Sequence, residues 1–209
     1  MKTIRSIFAS LLLVLLTVPA MAQLSSEERA AGEQAAKDII DRFTGGKVSV
    51  SVELSLTPDS KGCDSYSYAS DGSTVTIKAS SAVAACRAFY DYAKSKGAGI
   101  SSWSGVRFAV PDDLAAKEVT LTSQYRHHQY MNVVTYGYTA AYWDEERWDR
   151  EIDWMALHGI DMPLMLIGAE QVYREVFYEM GLTKADVDAW EVGPAHLPWF
   201  RMGNLCGNS

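Results

Sequence analysis

A carboxylate and an amide lie in the second half of the chain where side chains of α/β proteins commonly do chemistry. Two mostly apolar runs, residues 129–138 and 162–167, are typical of strands buried on both faces of a parallel sheet. Working residues in such sheets lie at the carboxyl ends of the strands and in the loops that follow. Asn132 lies on the first run and Glu170 closely follows the second, so both are candidate ligand-binding residues.

Among the carboxylates of the chain, Glu170 has the best position for chemistry, because it closely follows the carboxyl end of a predicted buried strand. It could accept a hydrogen bond from a substrate hydroxyl or exchange a proton with a substrate. The alternative is a carboxylate in the first turn of a helix, where it interacts favourably with the helix dipole. Asn132 has the same two interpretations, because an asparagine amide can bind a ligand or only satisfy nearby backbone groups.

Aromatic side chains near these positions suggest what the ligand is. Trp199, Trp143 and Tyr142 could form an apolar wall against the C–H face of a sugar. Ordinary packing between helices explains the same residues equally well. Tyr138, at the end of the first apolar run, belongs to the same set of candidates.

The elements that must position these residues alternate between strand and helix. Asp144 is a helix cap, and Trp148, Ile152, Met155 and Ala156 then share one helical face. A second helix is predicted over residues 170–180, and Thr183 begins a third, short one. Strand, helix, strand, helix is the pattern of a parallel sheet or barrel.

The first half of the chain predicts a separate α+β unit. A capping box at Ser25 and Glu28 begins a helix that extends to about Phe43. Apolar residues alternate with polar ones over residues 48–56, and Asp71-Gly72 predicts the turn of a β-hairpin. A helix over residues 82–94 follows, capped by Ser80 or Ser81. Residues 97–125 are interpreted as the crossover between the two halves.

The first 22 residues resemble a secretory signal peptide. Lys2 and Arg5 precede an apolar stretch over residues 7–18, and Ala20-Met21-Ala22 fits a cleavage site before Gln23. The alternative is an uncleaved N-terminal anchor, although the stretch is short for a membrane span of about 20 residues. We therefore expect export to the periplasm or the exterior, with no membrane span after cleavage.

Charge and composition exclude other classes of function. The formal net charge of −7 and the lack of a Lys/Arg cluster argue against a nucleic-acid partner. Cys63 and Cys86 could form a disulfide that leaves Cys206 free, although three unlinked thiols are equally compatible. No metal or other cofactor is expected. The acids at positions 145, 146, 151 and 153 mostly suggest a solvated helix face.

Histidines give no further site. His127 and His128 are adjacent, so their rings should point to opposite faces of a strand and should not share a metal. His158 closes a predicted helix, where it would complement the helix dipole.

A specific pattern extends over four segments of the second half: residues 132–139 with Tyr142-Trp143-Asp144, residues 148–160, Gly168-Ala169-Glu170, and residues 193–205. These segments closely resemble the start of the catalytic barrel of α-N-acetylglucosaminidases, glycoside hydrolase family 89. The first half, with Ile77-Lys78-Ala79-Ser80-Ser81 before an Ala-rich helix, is similar to the small accessory domain that precedes the barrel in that family.

The resemblance implies an enzyme that removes terminal α-linked N-acetylglucosamine with retention, on a (β/α)8 barrel followed by a helical domain. Asn132, Trp199 and Met202 match residues that line the sugar pocket, and Tyr138 and Glu170 match motif residues near strand ends. Val134 and Tyr142 depart from the family pattern, which often has Cys and Trp there.

The fold class implied is an α+β accessory domain followed by the first βα units of an incomplete TIM barrel. The expected boundaries are residues 1–22 for the signal peptide, 23–122 for the accessory domain and 123–209 for the start of the barrel. A complete barrel needs about 250 residues, and the family's catalytic carboxylate pair lies on later strands. The chain is therefore interpreted as truncated and inactive by itself.

The partner expected from the resemblance is a glycan with a terminal N-acetylglucosamine, and the oligomeric state stays open. The alternative function is that of a non-catalytic, exported carbohydrate-binding or interaction protein that uses the α+β unit alone.

Overall fold

A four-stranded sheet packed against two helices forms the first half of the computed structural model, which describes residues 24–203. Helix α1 (Ser26–Thr44) begins with the predicted capping box, in which the Ser25 hydroxyl accepts from the Glu28 amide. Helix α2 (Ala82–Ser95) is capped by Ser81. The predicted signal peptide and Cys206 lie outside the described residues.

The sheet combines parallel and antiparallel pairs. Its strands are β1 (Ser49–Glu53), β2 (Ser65–Ser70), β3 (Thr74–Ala79) and β6 (Ala116–Thr122), in the order β1-β3-β2-β6. β1 and β3 are parallel, whereas β2 is antiparallel to both β3 and β6. The hairpin predicted at Asp71-Gly72 is confirmed: the Asp71 carboxylate accepts from two following amides, and Gly72 has φ 96°.

The stretch predicted as a crossover belongs largely to this first unit. β4 (Gly99–Ser102) and β5 (Gly105–Phe108) form a hairpin, and β6 completes the main sheet. The stretch is thus more than a crossover, because the backbone of β6 pairs with β2 over most of its length, a non-local contact that local patterns do not reveal. The core between sheet and helices includes Ile40, Ile77 and Phe89, all fully buried.

A parallel pair of short strands begins the second half. β7 (Gln129–Tyr130) pairs with β8 (Met162–Pro163), and helices α3 (Thr135–Tyr138) and α4 (Glu145–Leu157) connect them. After β8 the chain forms α5 (Ala169–Glu179), α6 (Lys184–Trp190), a 3₁₀ turn (Pro194–His196) and α7 (Leu197–Arg201). The predicted βαβ pattern is confirmed, and so are the Asp144 and Thr183 caps.

Both strands are shorter than the apolar runs predicted. Residues 129–138 do not form one strand, because the Asn132 side chain accepts from the amides of Val134 and Thr135 and turns the chain into α3. Such side-chain bonds to the local backbone compete with a strand ladder. Residues 162–167 pair with β7 at their start only, where Leu164 still donates to the Tyr130 carbonyl at 3.0 Å.

Helix α4 joins the two halves. Its Ala156 and Leu157 lie in the core of the first unit. Arg42 of α1 forms two hydrogen bonds of 2.7 Å to Asp153, and Arg87 of α2 donates to the carbonyl of His158 at 3.1 Å. The accessory unit therefore determines where α4 lies.

The inner side of α4 holds a buried carboxylate, where the sequence suggested a solvated face. Glu151 is 1 % exposed, forms an ion pair with Arg147 at 2.8 Å and accepts from the Tyr130 hydroxyl at 2.8 Å. Burial and the Glu151 carboxylate raise the pKa of Tyr130 to about 12. Conversely, Ile152 is 45 % exposed, so its predicted place on the buried face was wrong. The hydrogen bond from the Tyr130 hydroxyl of β7 places Glu151, rather than Ile152, on the inner side of α4.

His127 and His128 differ from their predicted placement, since their rings do not diverge but lie 3.2 and 4.0 Å from the same Asp161 carboxylate. His158 ends α4 as predicted, and its Nδ1 lies 2.8 Å from the Trp154 carbonyl oxygen in the last turn. Its ring also stacks on Trp154, and burial lowers its pKa. Within residues 24–203 there is no cluster of three or more metal-ligating side chains, and none of the helices is long and apolar enough to cross a bilayer.

Cys63 and Cys86 are both buried and both free thiols, so the disulfide that the sequence allowed is not formed. Burial raises the pKa of Cys86 to about 12. The first unit is therefore held by its apolar core and its hydrogen bonds rather than by a cross-link between these two cysteines.

None of the residues of helix α5 is buried. Its Val172, Tyr173, Val176 and Tyr178 are 43–58 % exposed. We therefore expect amides of α5 to open with a free energy at least about 3 kcal/mol below that of α2, which is the value of burying roughly one large side chain.

Hydrogen exchange measured residue by residue tests this expectation, with light scattering to establish that the sample is monomeric. Helix α2 is the internal control, since it is of similar length and buries eight residues. Equally strong protection of α2, α5 and residues 162–167 in a monomer would contradict it.

Candidate functional site

Two short helices of the second half meet where the sequence placed its candidate residues. α3 carries Tyr138, and α7 carries Trp199, and the two rings contact edge to face with centroids 6.3 Å apart. Tyr138 is 71 % exposed. The pair thus presents an aromatic edge to solvent, of the kind that packs against an apolar face of a ligand.

A buried ion pair lies beside this edge. Both Nε and Nη2 of Arg201, at the end of α7, lie 2.7 Å from Oε1 of Glu170 in the first turn of α5. The two side chains are only 12 % and 13 % exposed. Gly168, with φ 82°, turns the chain into α5 and so places Glu170 towards α7. The Glu170 carboxylate therefore faces Arg201.

Tyr136 lies beneath the same guanidinium. Its ring centroid is 6.0 Å from Cζ of Arg201, and its other neighbour is Trp148 of α4, with which it stacks at 6.0 Å. The Tyr136 hydroxyl and Nη1 of Arg201 are both buried and have no hydrogen-bond partner within residues 24–203. Burial raises the pKa of Tyr136, so its hydroxyl stays protonated.

Gly137 allows α3 and α7 to approach closely. A Cβ atom at this position would lie 2.8 Å from the Ala195 carbonyl oxygen and 2.8 Å from Cγ of Pro198. Contacts this short do not occur without displacement of the neighbour, so a side chain at position 137 would separate the two helices. The contact between Tyr138 and Trp199 depends on this glycine.

Four of the five predicted site residues lie on these converging elements: Tyr138, Glu170, Trp199 and Met202. Met202 follows α7 directly and is 40 % exposed. Asn132 is exposed, and its side-chain oxygen accepts from the backbone amides that follow it, which agrees with one of its two interpretations. That the five residues contact a sugar stays a prediction.

The predicted aromatic wall has a different composition. Trp199 pairs with Tyr138, whereas Trp143 packs on Trp148 at 4.9 Å and beneath the Arg147 guanidinium at 3.8 Å. Tyr142 is 79 % exposed. Trp143 thus belongs to the surroundings of helix α4.

Sequence reasoning missed Arg201. The residues at positions 199 and 202 were singled out, but nothing in the sequence indicated that the arginine between them pairs with Glu170, which is 31 residues away. Only the turn at Gly168 and the fold of α7 bring the two together.

Comparison with known proteins identifies the class to which this fold and site belong. The profile of the α-N-acetylglucosaminidase (NAGLU) N-terminal domain matches residues 34–115, and that of the NAGLU tim-barrel domain matches residues 127–209. A human α-N-acetylglucosaminidase is 37 % identical over 199 residues, which are 92 % of this chain and 26 % of the human protein.

Solved structures give the same result. A family 89 glycoside hydrolase from Clostridium perfringens, in complex with 2-acetamido-1,2-dideoxynojirimycin, superposes with a TM-score of 0.77 at 26 % identity. The match covers 86 % of this chain and 21 % of that one. Another structure from the same organism, in complex with its substrate GlcNAc-α-1,4-galactose, has a TM-score of 0.73 at 25 % identity, over 85 % of this chain and 20 % of that chain.

The fold is thus that of the N-terminal part of a tim-barrel glycoside hydrolase: an α/β domain followed by the first βα elements of the barrel. The chain belongs to the α-N-acetylglucosaminidase family, glycoside hydrolase family 89. It spans about a quarter of the length of the human relative and about a fifth of that of the solved structures. The family resemblance and the fold class expected from the sequence are both confirmed.

The close approach at Gly137 gives a test of the site's architecture. Gly137→Ala should destabilise the second half by about 1–3 kcal/mol, the usual cost of forcing extra volume into a packed contact. Urea denaturation followed by tryptophan fluorescence measures the change.

Gly193→Ala is the matched control, because Gly193 has φ −65° and a Cβ atom there would meet no other atom within 4 Å among residues 24–203. Equal midpoints for the two variants would mean that the α3–α7 contact is looser than described.

Proposed function

We propose that this chain is the N-terminal part of an exported, retaining glycoside hydrolase that removes terminal α-linked N-acetylglucosamine, and that the chain alone does not catalyse this reaction. The observation that supports the proposal best is the solvent-facing edge of Tyr138 and Trp199, next to Met202, in a member of this family. This edge would form one side of a sugar pocket.

The residues present suit binding and shaping rather than bond cleavage. Aromatic rings pack against the C–H faces of a pyranose, and Asn132, which lies on the same segment as Tyr138, has an amide able to bond to sugar hydroxyls. Retaining hydrolysis requires two carboxyl groups about 5–5.5 Å apart. Glu170, the carboxylate near the Tyr138–Trp199 edge, hydrogen bonds to Arg201, which favours a structural part for it. The proposal is that later parts of the barrel supply the carboxylates that cleave the glycosidic bond.

The substrate class follows from the relatives. One of the solved family structures holds GlcNAc-α-1,4-galactose as its substrate. We extend the class, a glycan with a terminal α-linked N-acetylglucosamine, to the complete enzyme of which this chain would be a part.

Joining the chain to the missing part of a relative tests the function. The full chain, fused at Ser209 to the part of the human protein that follows the matched region, should hydrolyse an aryl α-N-acetylglucosaminide, whereas the chain from residue 23 to 209 should not exceed buffer. A Trp199→Ala change in the fusion should lower kcat/KM by about tenfold or more, equivalent to losing roughly 1.4 kcal/mol of sugar packing.

Trp103→Ala is the control, since Trp103 is 61 % exposed between β4 and β5 in the first unit. Clear turnover by the chain alone would overturn the proposed inactivity. A folded fusion that binds but does not cleave the aryl glycoside would overturn the proposed reaction.

Export is the second part of the proposal, supported by the leader-like pattern that ends at Ala20-Met21-Ala22. Protein recovered from the periplasm or medium should begin at Gln23, which N-terminal sequencing or intact mass determines. Recovery of exported protein that retains Met1 would contradict cleavage, and recovery from the cytoplasm alone would contradict export.

A further inference from the structure

Helix α7 cannot hold its position by itself. It has five residues, Leu197–Arg201, whereas isolated helices shorter than about 12–15 residues are marginal in water. Yet Trp199 and Met202, on and directly after this helix, are two of the residues assigned to the proposed sugar pocket. Tertiary contacts must therefore fix α7.

Arg201 makes those contacts towards α5. Two of its nitrogen atoms lie 2.7 Å from one oxygen of Glu170, in a site where both side chains are more than four-fifths buried. A guanidinium offers donors in a rigid fork, so this contact fixes orientation as well as distance. Glu170 is in the first turn of α5, the helix that follows β8 in the chain, so the pair connects α7 to the barrel framework.

Arg201 also contacts α3. Its guanidinium lies over the ring of Tyr136, whose neighbours Gly137 and Tyr138 form the other half of the contact with α7. One side chain thus touches both elements next to which Trp199 has to lie.

We propose that Arg201 is a positioning residue, which acts with Glu170 to hold Trp199 and Met202 against Tyr138. The proposal rests on the proposed sugar pocket and deepens it, because it assigns Glu170 an action through Arg201 rather than on the substrate. The carboxylate of Glu170 faces the arginine, and its partial burial leaves little of it open to a ligand.

Nuclear magnetic resonance of the full chain tests the positioning directly. The indole N–H signal of Trp199, identified by its loss in Trp199→Phe, reports on the nearby Tyr138 ring. E170Q should move this signal, and R201M should move it further because it also removes the contact with Tyr136. The double variant should match R201M, because coupled residues are not additive. R201K keeps the charge but loses the rigid fork of donors, so it should move the signal less than R201M does.

The matched controls are D188N and K184M, which break the exposed ion pair between Lys184 and Asp188 on α6. They should leave the Trp199 signal in place, and signals of the first unit monitor folding. An unmoved Trp199 signal in R201M, or a double variant that shows the sum of the two single effects, overturns the proposal. If R201M does not fold, R201K and E170Q are compared instead, and an unmoved Trp199 signal in both variants overturns the proposal.

Kinetics of the fusion protein separate positioning from direct chemistry. E170Q and R201M should each raise KM, with losses in kcat/KM of up to about 100-fold, the effect of a displacement near 1 Å. The double variant should be no worse than R201M, and the pH profile should keep its shape. If Glu170 exchanges a proton with the substrate, E170Q lowers kcat and removes one limb of the profile, which overturns the positioning role.

Failure of the proposed function gives a different result. A fusion without activity, even in the unchanged sequence, counts against the proposed reaction, whereas the Trp199 signal still decides whether Arg201 and Glu170 position α7.

Discussion

Helix α4 has to contact both halves of the molecule at once, and the rest of the structure depends on that constraint. Ala156 and Leu157 complete the apolar core of the first unit, while Glu151 accepts a hydrogen bond from the hydroxyl of Tyr130 in β7. Because a buried carboxylate is costly without partners, Arg147 and the Tyr130 hydroxyl are required where they are. Through α4, the accessory unit thereby fixes the position of β7, the first strand of the barrel.

The candidate site is built from elements too short to be stable alone. α3 has four residues and α7 has five, and both lie at the ends of loops. Their arrangement comes from a close backbone approach at Gly137 and from the ion pair between Arg201 and Glu170. Such a site can be precise only if these few contacts are well determined. This explains why the side chains of Arg201 and Glu170 are only 12 % and 13 % exposed, although the Tyr138–Trp199 edge faces solvent.

Local signals in the sequence predicted local structure well. The caps at Ser25, Asp144 and Thr183 and the hairpin at Asp71-Gly72 involve residues within three or four positions of each other, and all are confirmed. The long strands expected over residues 129–138 and 162–167 were wrong, since Asn132 turns the first run into α3 and the second run pairs with β7 at its start only. Tyr138 was singled out by its place at a predicted strand end, Trp199 by the aromatic pattern and Met202 by the family resemblance. The pairing of Arg201 with Glu170 was not, because it depends on tertiary structure.

The two buried thiols of the first unit have a consequence for the environments in which this fold can exist. Thiolate, not thiol, reacts with oxidants and disulfides, and a pKa of about 12 leaves Cys86 almost wholly protonated at neutral pH. Within residues 24–203 neither Cys63 nor Cys86 is cross-linked. The core of this unit therefore forms without a disulfide between them, and a change in the thiol–disulfide balance around the protein would leave its apolar contacts in place.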